Sequence, residues 1–208
     1  MWCCKIIETA YIKIFFIISL ILFLIGFLWP LIIVKKSGNN PHGMHEGAST
    51  LTHLSSLSIL LWLSLIILYI FFNNLIENVL YLDFLANNPL IITGMISVSV
   101  GFLFEIFGIL ALGKNFRIEL PIDETELITT GIYRIMRNPI VFGIFLLVIG
   151  TFLIIPTVIV FVICIFNLLT FNAKVIDEEK FLLRRFGKVY SDYRNNVGRY
   201  LPFISKRK

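Results

Sequence analysis

The sequence predicts an all-α fold: a polytopic membrane bundle of five transmembrane helices followed by a cytosolic amphipathic helix. Three observations carry that expectation. Of the 208 residues, 58% are hydrophobic and 20 are Phe, more apolar surface than a soluble domain of this length can bury in one core. The apolar residues fall into long runs separated by short polar connections. The basic residues gather in alternate connections, as they do in loops on the cytosolic side of a membrane.

The first run, 10 to 34, begins after Lys5 and ends at Lys35. It is too long for the apolar region of a signal peptide, and no small-x-small cleavage site follows it, so it reads as a first span. The second and third runs cover 51 to 72 and 89 to 112. A fourth stretch, 138 to 173, is divided by Pro156 into halves of about 17 residues, each about 25 Å long as a helix, enough for a short span. Those halves read as a tight helical hairpin.

With the N-terminus outside, the inner segments are 35 to 50, 113 to 137 and the tail from Lys174, and they hold sixteen of the 18 Lys and Arg residues. The connection 73 to 88 carries Glu77 and Asp83 and no base. An integral, multi-pass protein with a cytosolic C-terminus follows. Its formal net charge of +5 then needs no nucleic-acid partner, because a basic tail beside anionic lipid accounts for it. No obligatory protein partner is evident. The whole of 1–208 reads as a single membrane domain, with three transmembrane helices in 10–112.

Cys3, Cys4 and Cys164 form no CxxC pair, so neither a disulfide framework nor a metal site is expected. Cys164 reads as a small core hydrophobe, and Cys3 and Cys4 as a weak acylation signal. His42-x-x-His45 with Glu46 sits in a Gly-rich loop without a helical frame, which favours a solvated loop over a metal site. Glu105, inside the third apolar run, serves either a hydrogen bond between helices or a wet functional cavity.

The last third is chemically richer. In Gly131-Ile-Tyr-Arg-Ile-Met-Arg-Asn-Pro139, Pro139 suits the first turn of a helix and Asn138 its N-cap. The positive end of that helix, with Arg137 beside it, favours an anionic group. From Asn172 to Tyr193 apolar residues recur at three- and four-residue steps, marking a helix that leaves the membrane. Glu179 falls within the apolar stripe, between the rows of Ile176 and Leu183, and Glu178 at its edge. A buried carboxylate requires a partner, here Arg134, Arg137 or a cationic ligand.

Gly131-x-Tyr133-x-x-x-Arg137-Asn138-Pro139-x-x-x-Gly143, the hairpin, Glu178-Glu179-x-x-Leu182, Phe186-Gly187-x-x-Tyr190-x-x-Tyr193 and a closing Pro202 form one ordered set. With the preceding Leu112-Gly-Lys-Asn-Phe116, the set resembles the isoprenylcysteine carboxyl methyltransferase and phospholipid methyltransferase group of membrane enzymes. The resemblance implies a cofactor-binding catalytic region over 113–202, including the hairpin 138–173. It implies an S-adenosylmethionine site lined by Tyr133, Arg137, Asn138, Pro139, Glu178 and Glu179, with Arg137 and Glu179 as the catalytic pair.

The acceptor it implies is a lipophilic small molecule or lipidated substrate, either an isoprenylcysteine carboxylate or a phospholipid, met among the membrane lipids. Two positions depart from the group's pattern, Asn138 where His is usual and Val141 where Tyr is frequent. Asn keeps the hydrogen bonding and loses a titrating imidazole. Two other readings stand beside this one. An NADPH-dependent membrane sterol or steroid reductase has a similar C-terminal region, with Arg-His-x-Asn-Tyr in place of Arg137-Asn138-Pro139. A non-enzymatic membrane protein on the same scaffold is the other.

Overall fold

The computed structural model describes residues 2–36, 50–77, 80–113 and 127–202. Its helices are α1 (Trp2–Lys36), α2 (Thr50–Glu77), α3 (Asn88–Leu112), α4 (Pro139–Ile154), α5 (Val158–Phe186) and α6 (Lys188–Asn196). The expected loop histidines 42 and 45, Glu46, the run 114–117, and Asp123, Glu124 and Glu126 lie outside the described residues. All five apolar runs are helical. Four of the helices are long and apolar enough to cross a membrane, and α4 is a shorter apolar helix.

Local chemistry sets the ends. The Asn87 side chain accepts the Leu90 N–H at 3.1 Å and Pro89 occupies the first turn, so α3 starts there. Thr157 caps α5 by accepting the Val160 N–H at 3.3 Å. The sharp turn at Pro156 is held from outside, because the Leu82 N–H donates to the Pro156 carbonyl at 2.8 Å and the Val158 N–H to that of Leu80 at 3.1 Å. The connection before α3 thus clasps the tip of the α4–α5 hairpin.

The hairpin is less symmetrical than the sequence suggests. α4 has 16 residues, whereas α5 runs 29 residues without a break, from the hairpin tip to Phe186. The stretch expected as a separate helix from 172 to 193 is therefore the continuation of α5 plus α6. Gly187, at φ 52°, separates them, a conformation that a Cβ would strain. Beyond that point the apolar stripe holds only in part: Tyr190 is 1% exposed, whereas Val189 is 65% exposed.

The closest packing is between α3 and α4. Gly94, Gly101 and Gly108 recur every seven residues on α3, and Gly143 and Gly150 do so on α4. A Cβ on Gly150 would lie 2.6 Å from the Gly94 carbonyl oxygen, and one on Gly143 would lie 2.6 Å from that of Gly101. Small residues at this spacing let two antiparallel backbones meet, which is how helices gain van der Waals contact where lipid supplies no hydrophobic drive. α2 and α5 are joined differently. Asn167 donates to the Ser58 carbonyl at 3.1 Å and accepts from Ser58 Oγ at 3.1 Å, both residues being fully buried. Trp62 Nε1 donates to Thr151 Oγ1 at 3.1 Å, tying α2 to α4. The apolar core between these helices includes Phe16, Ile66, Val98, Leu147, Val148 and Val160. Cys164 packs within it as the small hydrophobe expected.

Candidate functional site

Where α4 begins, three stretches of chain meet. A 3₁₀ turn at Gly131–Arg134 leads to Met136, which pairs in parallel with Gly198. The Arg137 N–H donates to the Gly198 carbonyl at 2.9 Å, and the Asn138 N–H to the Arg199 carbonyl at 3.1 Å. The chain beyond α6 is thereby stitched alongside the entry to α4. Two more ties fasten it. Tyr193 Oη donates to the Tyr133 carbonyl at 2.6 Å, and Tyr200 Oη donates to Asn172 Oδ1 at 3.0 Å while its ring meets Phe145 edge-on.

This stitching brings charges together over the C-terminal half of α5. Glu179 is 6% exposed. Its Oε1 lies 3.1 Å from Arg137 Nη1 and accepts the Arg199 Nε–H at 3.1 Å, while its Oε2 accepts Arg199 Nη2–H at 2.8 Å. The Arg199 contact is a two-pronged fork that fits a carboxylate edge, and Arg137 adds a third donor. Arg137 Nη1 also approaches Tyr190 Oη at 3.5 Å. Arg137 Nε is buried and has no hydrogen-bond partner among the described residues.

Burial raises the pKa values of the surrounding phenols, so they stay neutral donors. It holds Tyr133 and Tyr193 well above the ordinary tyrosine range, and Tyr200 is pushed up to about 12 by burial, with the Arg199 charge opposing. The hydrogen bond to Glu179 raises Arg199 further still, so its charge is permanent.

The inward direction expected of Glu179 is what the structure has, and Arg137 is one of the two cations that meet it. Arg134 is exposed and does not. Tyr133 is buried beside α6. Glu178 stands half-buried at the edge, 3.9 Å from Lys174 Nζ. Pro139 opens α4 as expected, whereas Asn138 caps it through its backbone carbonyl, which accepts the Phe142 N–H at 3.0 Å. Its side chain makes no capping bond and turns instead toward the Arg199 carbonyl at 3.5 Å, because the tail lies on that side.

Arg199 is the residue that sequence reasoning missed. It lies in the irregular stretch after α6, where periodicity is silent. A lone arginine just before the closing Pro202 was the available signal. No group of three or more His, Cys, Asp or Glu that could hold a metal ion occurs among the described residues.

Comparisons with known proteins find methyltransferases similar to this chain. The model of the phospholipid methyltransferase family matches residues 89–189, from α3 into α6. A probable protein-S-isoprenylcysteine O-methyltransferase of Oryza sativa subsp. indica is 32% identical over 115 residues, 53% of this chain and 60% of that protein. Protein-S-isoprenylcysteine O-methyltransferase A of Arabidopsis thaliana is 28% identical over 166 residues, 77% of this chain and 83% of that one. The chain thus spans about 60% of the length of the rice relative.

A solved eukaryotic intramembrane Ras methyltransferase, an isoprenylcysteine carboxyl methyltransferase, superposes with a TM-score of 0.55 at 25% identity. The match covers 86% of this chain and 62% of that one. These relatives are methyltransferases, and the reductase reading is not favoured. Helical bundle, ordered motif and relatives point the same way: the chain is similar to the phospholipid methyltransferase family over residues 89–189 and to protein-S-isoprenylcysteine O-methyltransferases.

Proposed function

We propose that this protein catalyses S-adenosylmethionine-dependent methyl transfer to a lipophilic acceptor, with the site and C-terminus on the cytosolic side of the membrane. Residues 113–202 form the cofactor-binding region of a single membrane domain, and the helices of 10–112 contribute to the acceptor side. The observation that carries the reading is the buried Glu179 carboxylate between Arg137 and Arg199, with the Arg137 Nε–H left unaccepted. A buried guanidinium with a spare donor is a place for an anionic group, and a buried carboxylate a place for a cationic one.

An amino-acid-bearing cofactor presents both charges. Arg137 and Arg199 would hold its carboxylate and Glu179 its ammonium, with Tyr133, Asn138, Pro139 and Glu178 lining the same recess. When bound, S-adenosylmethionine supplies a methyl group already activated on a sulfonium. The chain therefore needs no nucleophile of its own. Its work is to align donor and acceptor and to exclude water. The pairing of 136–138 with 198–199, and the neutral phenols of Tyr133, Tyr193 and Tyr200 around it, close the site from the cytosolic side.

Isothermal titration of the detergent-solubilised full chain with S-adenosylhomocysteine tests this reading. Arg137→Ala should weaken that binding at least about tenfold, the loss expected for one charge-assisted contact of about 1.5 to 3 kcal/mol. Equal weakening by Glu46→Ala would mean the site is misplaced.

A further inference from the structure

α5 carries Glu179 to the cluster, and in lipid a helix has little to hold its rotation. Its buried stripe runs Val160, Cys164, Asn167, Phe171, Val175 and Glu179, at steps of three and four residues. Val160, Cys164 and Phe171 gain little by facing protein instead of lipid tails that are equally apolar. The Asn167 amide is different, because an amide turned to hydrocarbon loses hydrogen bonds that nothing there replaces.

That amide is fully engaged. Its Nδ2 donates to the Ser58 carbonyl at 3.1 Å and to the Ile163 carbonyl at 3.0 Å, and its Oδ1 accepts from the Ser58 hydroxyl at 3.1 Å. The Thr170 hydroxyl sits 3.1 Å from the same Ser58 oxygen. Among the described residues, every side-chain hydrogen bond that leaves α5 between Val158 and Phe171 goes to Ser58. α5 thus has one polar register point against α2, about 18 Å along the helix from Glu179 at the helical rise.

That distance does not weaken the link, because no proline or non-helical residue interrupts α5. Side-chain tips stand about 5 to 6 Å from a helix axis, so turning α5 by about 20° would carry the Glu179 carboxylate about 2 Å sideways. Its contacts with Arg137 and Arg199, at 2.8 to 3.1 Å, would not survive that. Arg137 does not follow the rotation, since the α3–α4 glycine seam holds α4 separately.

We infer that Asn167 is a positioning residue for the charged cluster: tied to Ser58 of α2, it sets the rotation of α5 and hence the aim of Glu179 at Arg137. The consequence for cofactor binding rests on the methyltransferase reading, whereas the hold on Glu179 does not.

A double-mutant cycle on the thermal transition of the full chain in detergent tests that hold. Asn167→Leu removes the tie without orphaning Ser58, whose hydroxyl keeps the Ser55 carbonyl at 2.8 Å. Substitutions this far apart ordinarily add. Here Glu179→Gln should lower the unfolding temperature of the wild-type chain, and by less than half as much in Asn167→Leu, where Glu179 has already lost its arginines. Ser58→Ala is the milder variant; it should shrink the Glu179→Gln shift too, and it carries the cycle if Asn167→Leu does not fold. Titration with S-adenosylhomocysteine tests the consequence, with affinity falling at least about tenfold in Asn167→Leu. Trp62→Phe, which cuts the bond from α2 to Thr151, should lower the unfolding temperature and leave the affinity unchanged.

Additive shifts in the cycle overturn the inference. So does wild-type affinity in a folded Asn167→Leu protein, or an equal loss of affinity in Trp62→Phe. If the wild-type chain binds no S-adenosylhomocysteine with its fold intact, the methyltransferase reading falls, and the cycle still decides whether Asn167 aims Glu179.

Discussion

The α3–α4 seam and the Arg137–Glu179–Arg199 cluster adjoin, and they are tight for opposite reasons. The seam is closed along its glycines: each meets a backbone oxygen or a side chain of the other helix, and there is no room for another atom at those points. The cluster is polar and incomplete: Glu179 has three donors, but Arg137 Nε has no acceptor. A finished interface holds a fold together, while an unfinished one next to it is where a ligand completes the hydrogen bonding. The seam fixes where α4 starts, and α4's start fixes Arg137 opposite Glu179.

Substitutions that disturb one region and spare the other sharpen this contrast. The largest effect is expected from Glu179→Ala. Removing the carboxylate leaves the Arg137 guanidinium buried without a counter-charge, which costs about 3 to 5 kcal/mol. Thermal unfolding in detergent should drop accordingly, and S-adenosylhomocysteine binding should be lost. Retained binding would separate the cluster from the site.

Gly150→Leu should come next. Its side chain has to displace the Gly94 carbonyl oxygen, a backbone atom, so overpacking of about 3 kcal/mol is expected. Gly26→Ala is the matched control, since a Cβ there meets nothing within 4 Å, and it should leave the unfolding temperature unchanged or slightly raised.

Arg199→Lys should do less to stability, because Arg199 is about a third exposed and lysine keeps the charge. It removes the two-pronged contact, however, so ligand affinity should fall by more than stability does. Parallel losses in the two measurements would assign Arg199 a purely structural part.

The smallest effect concerns alkaline pH. An acid whose folded value is raised binds more protons folded than unfolded between the two values, so stability falls as pH rises through that interval. For Tyr200 the interval runs from its ordinary value of 10.0 up to about 12. Its contribution is therefore full below pH 10 and is lost by pH 12. Tyr200→Phe should flatten the upper part of the unfolding-versus-pH curve, at the expense of about 1 kcal/mol for the hydrogen bond to Asn172 at neutral pH.

The sequence made the helices legible because lipid imposes long apolar runs, and Pro156 marked the hairpin tip. It made Glu179 legible too, since a carboxylate on an apolar stripe has few places to point. The seam was less visible. Glycines seven apart leave no hydropathy signal, and only a facing helix shows what their missing side chains admit. The continuity of α5 was obscured because its composition changes at Lys174 while its backbone does not. Arg199 was hidden for a third reason: its partner is twenty residues away, reached through an irregular segment whose path depends on hydrogen bonds to 137 and 138.

Titration calorimetry of the intact, detergent-solubilised protein against S-adenosylhomocysteine and, separately, reduced nicotinamide dinucleotide phosphate tests the central claim most directly. The account predicts saturable heat with the sulfur ligand, abolished in Glu179→Ala, and none with the dinucleotide. Heat with the dinucleotide alone, from a protein whose thermal transition is intact, would contradict it.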